Sequence, residues 1–337
     1  MNLITGATGL VGAHVALQLL KQRKPVVAIK RKGSDITKTK QLFSYYSSDY
    51  NHLFQQIKWI DADVCDIYSL LDALDGIDTV YHCAGFVSFN KKDTKQVYKI
   101  NVEGTANIVN ACLEKNIKTL CHVSSIATLQ NPDITTNITE SVYWKSSPQA
   151  SDYAISKYNG EREVWRGIEE GLQAIIVNPS IILGPGFWNQ SSGKLIATCY
   201  KGTPFYTTGS SAVVNAMDVA NCMIALVDKQ LVGKRYILSE SNKSFKEIIS
   251  VIQKQFGKKE PHIKAGRPLL LLAKWVGSVR AVFTGKEQRV STDAINSILE
   301  NNSYSNLLIE KELDYEFMAF PETIQFICAA YLNDLKK

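Results

Sequence analysis

Residues 3–12 read Leu-Ile-Thr-Gly-Ala-Thr-Gly-Leu-Val-Gly, a short apolar run that passes into three glycines spaced three apart. Behind them, Val11–Leu20 has the periodicity of a helix. A strand, a glycine turn and a helix form a site for a dinucleotide pyrophosphate, because the helix N-terminus offers N–H groups to an anion. Gly6 would allow the tight turn, Gly9 the approach of the phosphates, and Gly12 the close packing of helix on strand. The pattern predicts a dinucleotide-binding unit at the start of the chain.

A second stretch, Asp-Tyr-Ala-Ile-Ser-Lys at residues 152–157, places a phenol and an ammonium four residues apart in a helical run. Positions i and i+4 share one helix face, so a single ligand can touch both Tyr153 and Lys157. A free tyrosine titrates near ~10, and a nearby cation favours the phenolate. We therefore expect Lys157 to lower the pKa of Tyr153 towards the range used in acid–base catalysis.

Together, the glycine turn and the Tyr-x-x-x-Lys pair resemble the extended branch of the short-chain dehydrogenase/reductase superfamily. This branch includes dihydroflavonol reductases, 3β-hydroxysteroid dehydrogenases and the NAD-dependent epimerases and dehydratases. The resemblance runs along nearly the whole chain and is strongest over residues 1–185. It implies an α/β fold, a Rossmann doubly wound parallel sheet of about seven strands with a smaller C-terminal substrate lobe. The Rossmann domain is expected over residues 1–180, with 213–240 returning to it, and most of 181–337 should form the substrate lobe.

Composition limits the other classes of function. The 337 residues are 45% apolar, enough for a large core, and the net charge of +6 is mild, without a dense Lys/Arg stripe. Nucleic acid is therefore not predicted as a partner. The seven cysteines lack the spacing of metal ligands and are expected to be reduced thiols of a cytoplasmic protein. The chain opens directly on the cofactor strand, so no signal peptide is expected.

The second strand candidate, Pro25–Lys30, runs into the sequence Lys30-Arg31-Lys32. Dinucleotide folds that prefer NAD usually end this strand with an acid that binds the ribose hydroxyls, whereas cations there can hold the 2′-phosphate of NADP. We therefore predict NADP(H) as the preferred cofactor, with Arg31 and Lys32 as ligands and NAD(H) as the second choice. A basic surface turn is the structural alternative.

The resemblance implies further cofactor contacts at the ends of later strands. Asp63-Val64 would meet the adenine, although an Asp at this position can also cap a helix. Cys83-Ala84-Gly85 would let the ribose pass close to the main chain, and residues 179–182 would pass the nicotinamide. The complete predicted cofactor set is Gly6, Ala7, Thr8, Gly9, Leu10, Val11, Gly12, Arg31, Lys32, Asp63, Val64, Cys83, Ala84, Gly85, Tyr153, Lys157, Pro179, Ser180, Ile181 and Ile182.

The resemblance also implies the catalytic roles. Tyr153 would exchange a proton with the substrate oxygen, and Lys157 would hold the nicotinamide ribose. Ser125 would bind the same oxygen, with Ser124 as the alternative, while Asn101 would hydrogen-bond main chain and position the lysine. His82 is expected to be a packed histidine. The predicted substrate contacts, in a largely apolar pocket, are Phe86, Ser125, Trp144 and Phe187.

Three functions are compatible with these positions. An NADP-dependent oxidoreductase acting on a carbonyl or secondary alcohol is favoured. A nucleotide-sugar epimerase or dehydratase is the alternative. Ile126-Ala127 stands where dehydratases carry an Asp-Glu pair, and residues 181–234 contain no Arg for a second pyrophosphate, although Arg267, Arg280 and Arg289 could contribute. A non-catalytic cofactor sensor is disfavoured because both the tyrosine and the lysine are retained.

The apolar stretch Pro268–Phe283 carries four consecutive leucines but is interrupted by Lys274 and Arg280. It is shorter than the ~20 residues that a bilayer span needs. We therefore predict a substrate-lobe helix and no integral membrane segment, with contact to a membrane surface or a greasy substrate as the alternative. The expected partner is a small-molecule substrate, and a homodimer is compatible with the family.

Overall fold

A seven-stranded, all-parallel sheet forms the centre of the computed structural model, which describes residues 1–148, 150–272 and 291–336. The strands are β1 (Asn2–Thr5), β2 (Val26–Lys30), β3 (Lys58–Asp61), β4 (Thr79–His82), β5 (Thr119–Val123), β6 (Ala174–Pro179), β7 (Ile181–Leu183), β8 (Phe205–Tyr206), β9 (Ser210–Asn215), β10 (Lys234–Leu238), β11 (Ser241–Ser244) and β12 (Ile263–Lys264). The central order is β10-β6-β5-β4-β1-β2-β3. The predicted doubly wound sheet is confirmed.

Helices cover both faces of this sheet. They are α1 (Leu10–Lys21), α2 (Thr37–Tyr46), α3 (Tyr50–Gln55), α4 (Ile67–Ala73), α5 (Thr94–Tyr98), α6 (Gly104–Glu114), α7 (Asp152–Glu169), α8 (Ser191–Lys201), α9 (Ala216–Asp228), α10 (Phe245–Gln255), α11 (Thr292–Ser297), α12 (Leu307–Leu313) and α13 (Phe320–Asp334). One core cluster joins the sheet to α1 and α9, and another joins it to α4, α6 and α7. Because both faces are covered, all six residues of β6 are buried.

The strand order reverses between β1 and β4, which are parallel neighbours in register from Asn2 opposite Thr79 to Thr5 opposite His82. Ligands of doubly wound sheets bind outside the carboxyl ends of the strands at such a reversal. The glycine turn follows β1 and the Cys-Ala-Gly segment follows β4, so both predicted motifs meet at this point. The fold therefore creates the crevice where the sequence predicts a dinucleotide.

The later part of the chain contributes to both regions. β10 pairs parallel with β6, and α9 belongs to the same core cluster as α1, so part of 213–240 is built into the sheet region. A second, three-stranded sheet has the order β11-β9-β7. The sequence does not predict this sheet, because residues 181–183 match only the segment expected to pass the nicotinamide and no local pattern indicates their pairing. A third core cluster packs β7 and β9 against α8, α10 and α13.

Two further helical segments bear on the site and on the predicted apolar stretch. A π-helical turn, Lys99–Glu103, leads directly into α6. Of the stretch Pro268–Phe283, residues 268–272 are helical, and Leu269, Leu271 and Leu272 are exposed. The rest of that stretch lies outside the described residues. Within the part of the chain that the structure describes, no helix combines the length and apolarity needed to cross a membrane.

Candidate active site

A cavity of about 1070 Å³ lies over the carboxyl ends of the central strands. Most of the predicted cofactor residues line it: Gly6, Thr8, Gly9, Leu10, Val11, Arg31, Asp63, Val64, Cys83, Ala84, Gly85, Tyr153, Pro179, Ser180, Ile181 and Ile182. Ala7, Gly12, Lys32 and Lys157 lie outside the lining. The structure thus brings the strand-end segments into one continuous wall.

The glycine turn is held by close main-chain contacts. Gly6 has a positive φ of 68°, and the Gly9 N–H donates to the Gly6 carbonyl at 2.9 Å. A Cβ on Gly12 would lie 2.4 Å from the Gly6 oxygen, and one on Gly6 would lie 2.7 Å from the Ala84 nitrogen. No side chain caps the first turn of α1. Ala7 is fully buried, so it and Gly12 support the turn from behind rather than facing the cavity.

The three consecutive cations at the end of β2, Lys30, Arg31 and Lys32, have different surroundings. The β2–β3 register sets Lys30 opposite Asp61, and the two side chains form an ion pair. Lys30, Arg31 and Ser34 line the cavity, whereas Lys32 does not, although Arg31 and Lys32 are both exposed. Contact of Lys32 with the cofactor stays a prediction, and of the two predicted cations Arg31 is the one on the cavity wall. Asp63 lines the cavity while its Oδ1 accepts from the Cys65 N–H at 3.0 Å.

Tyr153 and Ser125 stand together on the cavity wall. Burial raises the pKa of the Tyr153 phenol, and a hydrogen bond with the Ser125 side chain opposes the rise. The net shift is upward, opposite to the direction expected from the sequence, and Lys157 is not among the groups that act on this phenol. The ring of Phe89 lies 5.6 Å from that of Tyr153 and also lines the cavity.

Lys157 sits behind the wall. It is 6% exposed, and its Nζ donates to the Val123 carbonyl at 2.7 Å. Burial lowers the pKa of Lys157 to about 8, while Glu161 and Cys83 oppose that shift. A Cβ on Gly85 would lie 3.9 Å from this ammonium, so the lysine reaches the site at the segment predicted to pass the ribose.

Asn101 occupies the π-helical turn and binds main chain, as expected from the resemblance. Its Nδ2 donates to the Phe86 carbonyl at 3.0 Å and to Ser156 Oγ at 3.0 Å, while its Oδ1 accepts from the Phe86 N–H at 2.8 Å. The side chain therefore fixes the segment after β4 against α7. Its contacts hold Phe86, which lines the cavity, rather than Lys157 directly.

The two candidate serines have different partners. Ser124 Oγ donates to Glu161 Oε2 at 2.5 Å, which commits it to a buried carboxylate. Ser125 Oγ accepts from the Ala127 N–H at 3.1 Å and is the hydroxyl beside Tyr153. The geometry thus favours Ser125 over Ser124 for a substrate oxygen.

Three of the four residues predicted to contact the substrate line the cavity: Phe86, Ser125 and Phe187. Trp144 does not, because its ring stacks on Tyr158 of α7 with centroids 4.7 Å apart. The far wall is also more polar than predicted, since separated segments of the later chain deliver polar side chains there: Gln190, Lys194, Ser210, Ser211, Ser297, Glu300 and Asn302. Burial raises the pKa of Glu300.

His82 is packed, as predicted. It is fully buried, with its ring nitrogens 2.7 Å from Thr5 Oγ1 and 3.1 Å from Thr105 Oγ1. Its ring lies 5.1 Å from that of buried His122. Burial lowers the pKa of both, that of His82 to about 3, so both rings are neutral near neutral pH.

The sequence model of the NAD dependent epimerase/dehydratase family matches residues 2–238. The chain belongs to this family. Sterol demethylase protein B of Methylococcus capsulatus is 27% identical over 267 residues, 78% of this chain and 76% of that protein. A putative dihydroflavonol 4-reductase of Synechocystis sp. is 26% identical over 318 residues, 92% of this chain and 88% of that protein. The crystal structure of gox2253 is 28% identical, has a TM-score of 0.80 and matches 99% of this chain and 98% of its own.

Membership of the epimerase/dehydratase family makes the chain an extended short-chain dehydrogenase/reductase. The family is NAD-dependent, and its members and relatives include reductases, dehydratases and epimerases. The protein is therefore an enzyme of the oxidoreductase or epimerase type.

One buried acid near the site, Glu161, is not predicted from the sequence. Glu161 follows Tyr153 and Lys157 at the same four-residue spacing, so all three lie along one face of α7. It is 2% exposed and pairs with Arg235 of β10. The repeated spacing was the available signal, but Arg235 could not be connected to it without the sheet order.

Proposed function

We propose that this enzyme is an NADP(H)-dependent oxidoreductase that transfers hydride between the nicotinamide and a carbonyl or secondary alcohol. The observation that carries the proposal is the Tyr153 phenol beside the Ser125 hydroxyl on the wall of the cavity that the glycine turn opens. The same wall includes residues 179–182, and Ile126-Ala127 follows Ser125 in place of an acidic pair.

The residues present fit a dinucleotide. Gly6 and Gly12 leave no space for a Cβ, and the first turn of α1 carries no capping side chain, so main-chain N–H groups can face a pyrophosphate. Gly85 and the Lys157 ammonium would hold the nicotinamide ribose, and Asp63 the adenine. When bound, the nicotinamide would supply or accept the hydride.

Tyr153 would donate a proton to the substrate oxygen during reduction. The phenol holds its proton near neutral pH, but burial raises its pKa and makes it a weaker acid, so the Lys157 ammonium at the ribose site and the bound nicotinamide would have to offset that rise. The reverse reaction needs a phenolate and should gain rate as pH rises. Ser125 would orient the oxygen, and Phe89 against the phenol would limit water at the reacting atoms.

The decisive experiment is a screen of NADPH oxidation over aldehydes, ketones, flavonoids, steroids and sugar nucleotides. Once a substrate is found, Tyr153→Phe should lower turnover by about 10²-fold or more, because a positioned acid contributes that much. NADPH affinity, measured by fluorescence titration, should stay nearly unchanged. Near-normal turnover in this variant would show that Tyr153 is only a packing residue.

The proposal that the enzyme prefers NADP depends on Arg31. Lys30 and Arg31 both line the cavity, but the Lys30 ammonium is paired with Asp61. An arginine can bind a phosphate with two parallel hydrogen bonds. We expect Arg31→Ala to weaken NADPH binding about tenfold, or ~1.4 kcal/mol, with little effect on NADH. Lys32→Ala removes the same charge from outside the cavity and serves as the control. Tighter binding of NADH than NADPH by the wild-type protein would reject the preference.

A nucleotide-sugar epimerase is the second candidate, and one observation favours it. Lys194 of α8 lines the substrate side of the cavity, where a cation could hold a phosphate. A clear rise in melting temperature with UDP-sugars, together with no NADPH oxidation by any carbonyl compound, would promote this function over the reductase.

A further inference from the structure

Glu161 is a carboxylate that the fold buries almost completely, one helical turn after Lys157. Its Oε2 accepts from Ser124 Oγ at 2.5 Å, from Thr128 Oγ1 at 2.8 Å and from Asn178 Nδ2 at 2.8 Å. Burying a charge without such partners would be very costly. The three hydrogen bonds to this oxygen therefore compensate for the burial of the carboxylate.

The second carboxyl oxygen of Glu161 binds a residue of β10, the strand at one edge of the central sheet. Oε1 accepts from Trp165 Nε1 at 3.2 Å and from Arg235 Nη1 at 3.0 Å. Arg235 is 14% exposed, and its other nitrogens donate to the carbonyls of Glu140 at 2.8 Å and Val142 at 2.7 Å. The guanidinium is thus fixed on all sides, and Glu161 ties α7 to β10.

The donors on Oε2 hold both sides of Ser125. Ser124 precedes it, and Thr128 lies on the 3-10 helix that starts directly after it. Asn178 Nδ2 also lies 3.1 Å from the Ser125 carbonyl oxygen. A single carboxylate on α7 therefore anchors the segment that carries Ser125 to the helix that carries Tyr153 and Lys157.

Glu161 follows Lys157 by four residues on the same face of α7, and its charge opposes the fall in the pKa of the buried Lys157 ammonium. The groups facing this ammonium from the adjacent strands are His82 and Cys83 at the end of β4 and His122 on β5. Burial lowers the pKa of both histidines and raises that of Cys83, so all three are neutral near neutral pH. Tyr153 is also protonated, and Lys99 and Glu103 of the neighbouring turn are exposed. Among the described residues that act on Lys157, Glu161 is therefore the anion.

We propose that Glu161 is a positioning residue of this active site: its carboxylate locks the Ser125 segment onto α7 and supplies the negative charge that keeps Lys157 cationic. The role of Lys157 in the reaction rests on the proposed function, but the effect of Glu161 on the lysine charge does not. Arg235 acts in the opposite sense, because its positive charge offsets part of the carboxylate. The pair therefore sets how strongly the buried lysine holds its proton.

Titration of Lys157 by NMR tests this directly, with ¹³Cε-labelled lysine and assignment through the signal lost in Lys157→Met. Glu161→Gln should lower the titration midpoint of Lys157 by about one unit or more, because it removes the nearby anion. Arg235→Gln should raise it. Glu163→Gln removes an equal charge from the solvent side of the same helix, where Glu163 pairs with Arg166, and should leave the midpoint unchanged.

Equal midpoints in Glu161→Gln and Glu163→Gln would overturn the proposal. If Glu161→Gln does not fold, Arg235→Gln carries the same test, and an unshifted or lowered midpoint there rejects it. Glu161→Asp keeps the charge and should restore most of the wild-type midpoint. The titration uses neither cofactor nor substrate. A shifted midpoint in a protein that binds no NADPH would therefore reject the proposed function and retain the role of Glu161.

A second measurement separates positioning from simple stability. The pH profile of NADPH binding should move to lower pH in Glu161→Gln, by the same amount as the Lys157 midpoint. A purely structural role would lower affinity equally at every pH. An equal loss of NADPH affinity at every pH, with the pH profile of the wild-type protein, would also overturn the proposal.

Discussion

The two halves of the cavity are built in different ways. On the side of the glycine turn, main chain approaches main chain so closely that Gly6 and Gly12 have no space for a Cβ. On the other side, the wall consists of side chains from separated segments, such as Phe187, Ser210 and Glu300. Close main-chain contacts require particular residue types in a short motif, whereas a side-chain wall can be assembled in many ways. The glycine-turn half can therefore be predicted from the sequence, whereas the side-chain half can change the ligand that it binds without altering the glycine turn.

Alanine at two glycines, one in close main-chain contact and one in open space, should give the largest difference. A Cβ on Gly160 of α7 would lie 2.2 Å from the Asn101 carbonyl oxygen, whereas one on Gly266 would meet nothing closer than 3.8 Å. Alanine in a helix normally stabilises by up to ~1 kcal/mol. We expect Gly160→Ala instead to lower the free energy of unfolding by about 2–3 kcal/mol, since α7 must move away from the π-helical turn. Urea unfolding measures both, and a stabilised Gly160→Ala would contradict the close contact.

Replacing each of the two serines, Ser124 and Ser125, should have a smaller effect, and the two variants should differ in whether turnover or stability is lowered. Ser125→Ala should lower turnover roughly 10–100-fold at nearly unchanged stability, because it removes the hydroxyl beside the phenol. Ser124→Ala should lower the free energy of unfolding by about 1–2 kcal/mol, because it removes a hydrogen bond to a buried carboxylate, and should affect turnover less. The reverse pattern would assign the substrate oxygen to Ser124.

The smallest effect is expected on the side-chain wall. Glu300→Gln should change the KM of the identified substrate about two- to fivefold, because a single polar contact is worth ~1 kcal/mol. NADPH affinity should stay the same. Glu322→Gln, at an exposed position of α13, is the matched control. A large loss of NADPH binding in Glu300→Gln would show that the two halves are not independent.

The same contrast explains what the sequence could predict. The β1 turn, the strand ends and the Tyr153 helix were predicted because each is a local pattern with one structural solution. The pairing of β7 with β9 was missed, since it joins residues 181–183 to residues 213–215, and only tertiary structure supplies that register. The ion pair of Lys30 with Asp61 could not be predicted, because Asp61 lies on the next strand and is distant in sequence. Trp144 was placed in the pocket on aromatic character alone, although it packs on Tyr158.

The strand that completes the sheet, β10, comes more than fifty residues after its neighbour β6, and Arg235 on it meets Glu161. While the chain emerges from the ribosome, β6 would therefore present an open edge, and Glu161 a buried acid without its counter-ion. Open edges pair readily with other chains. The nascent protein should thus need protection from aggregation until residue 238 has left the exit tunnel, and shortened chains that end before β10 should accumulate as insoluble material.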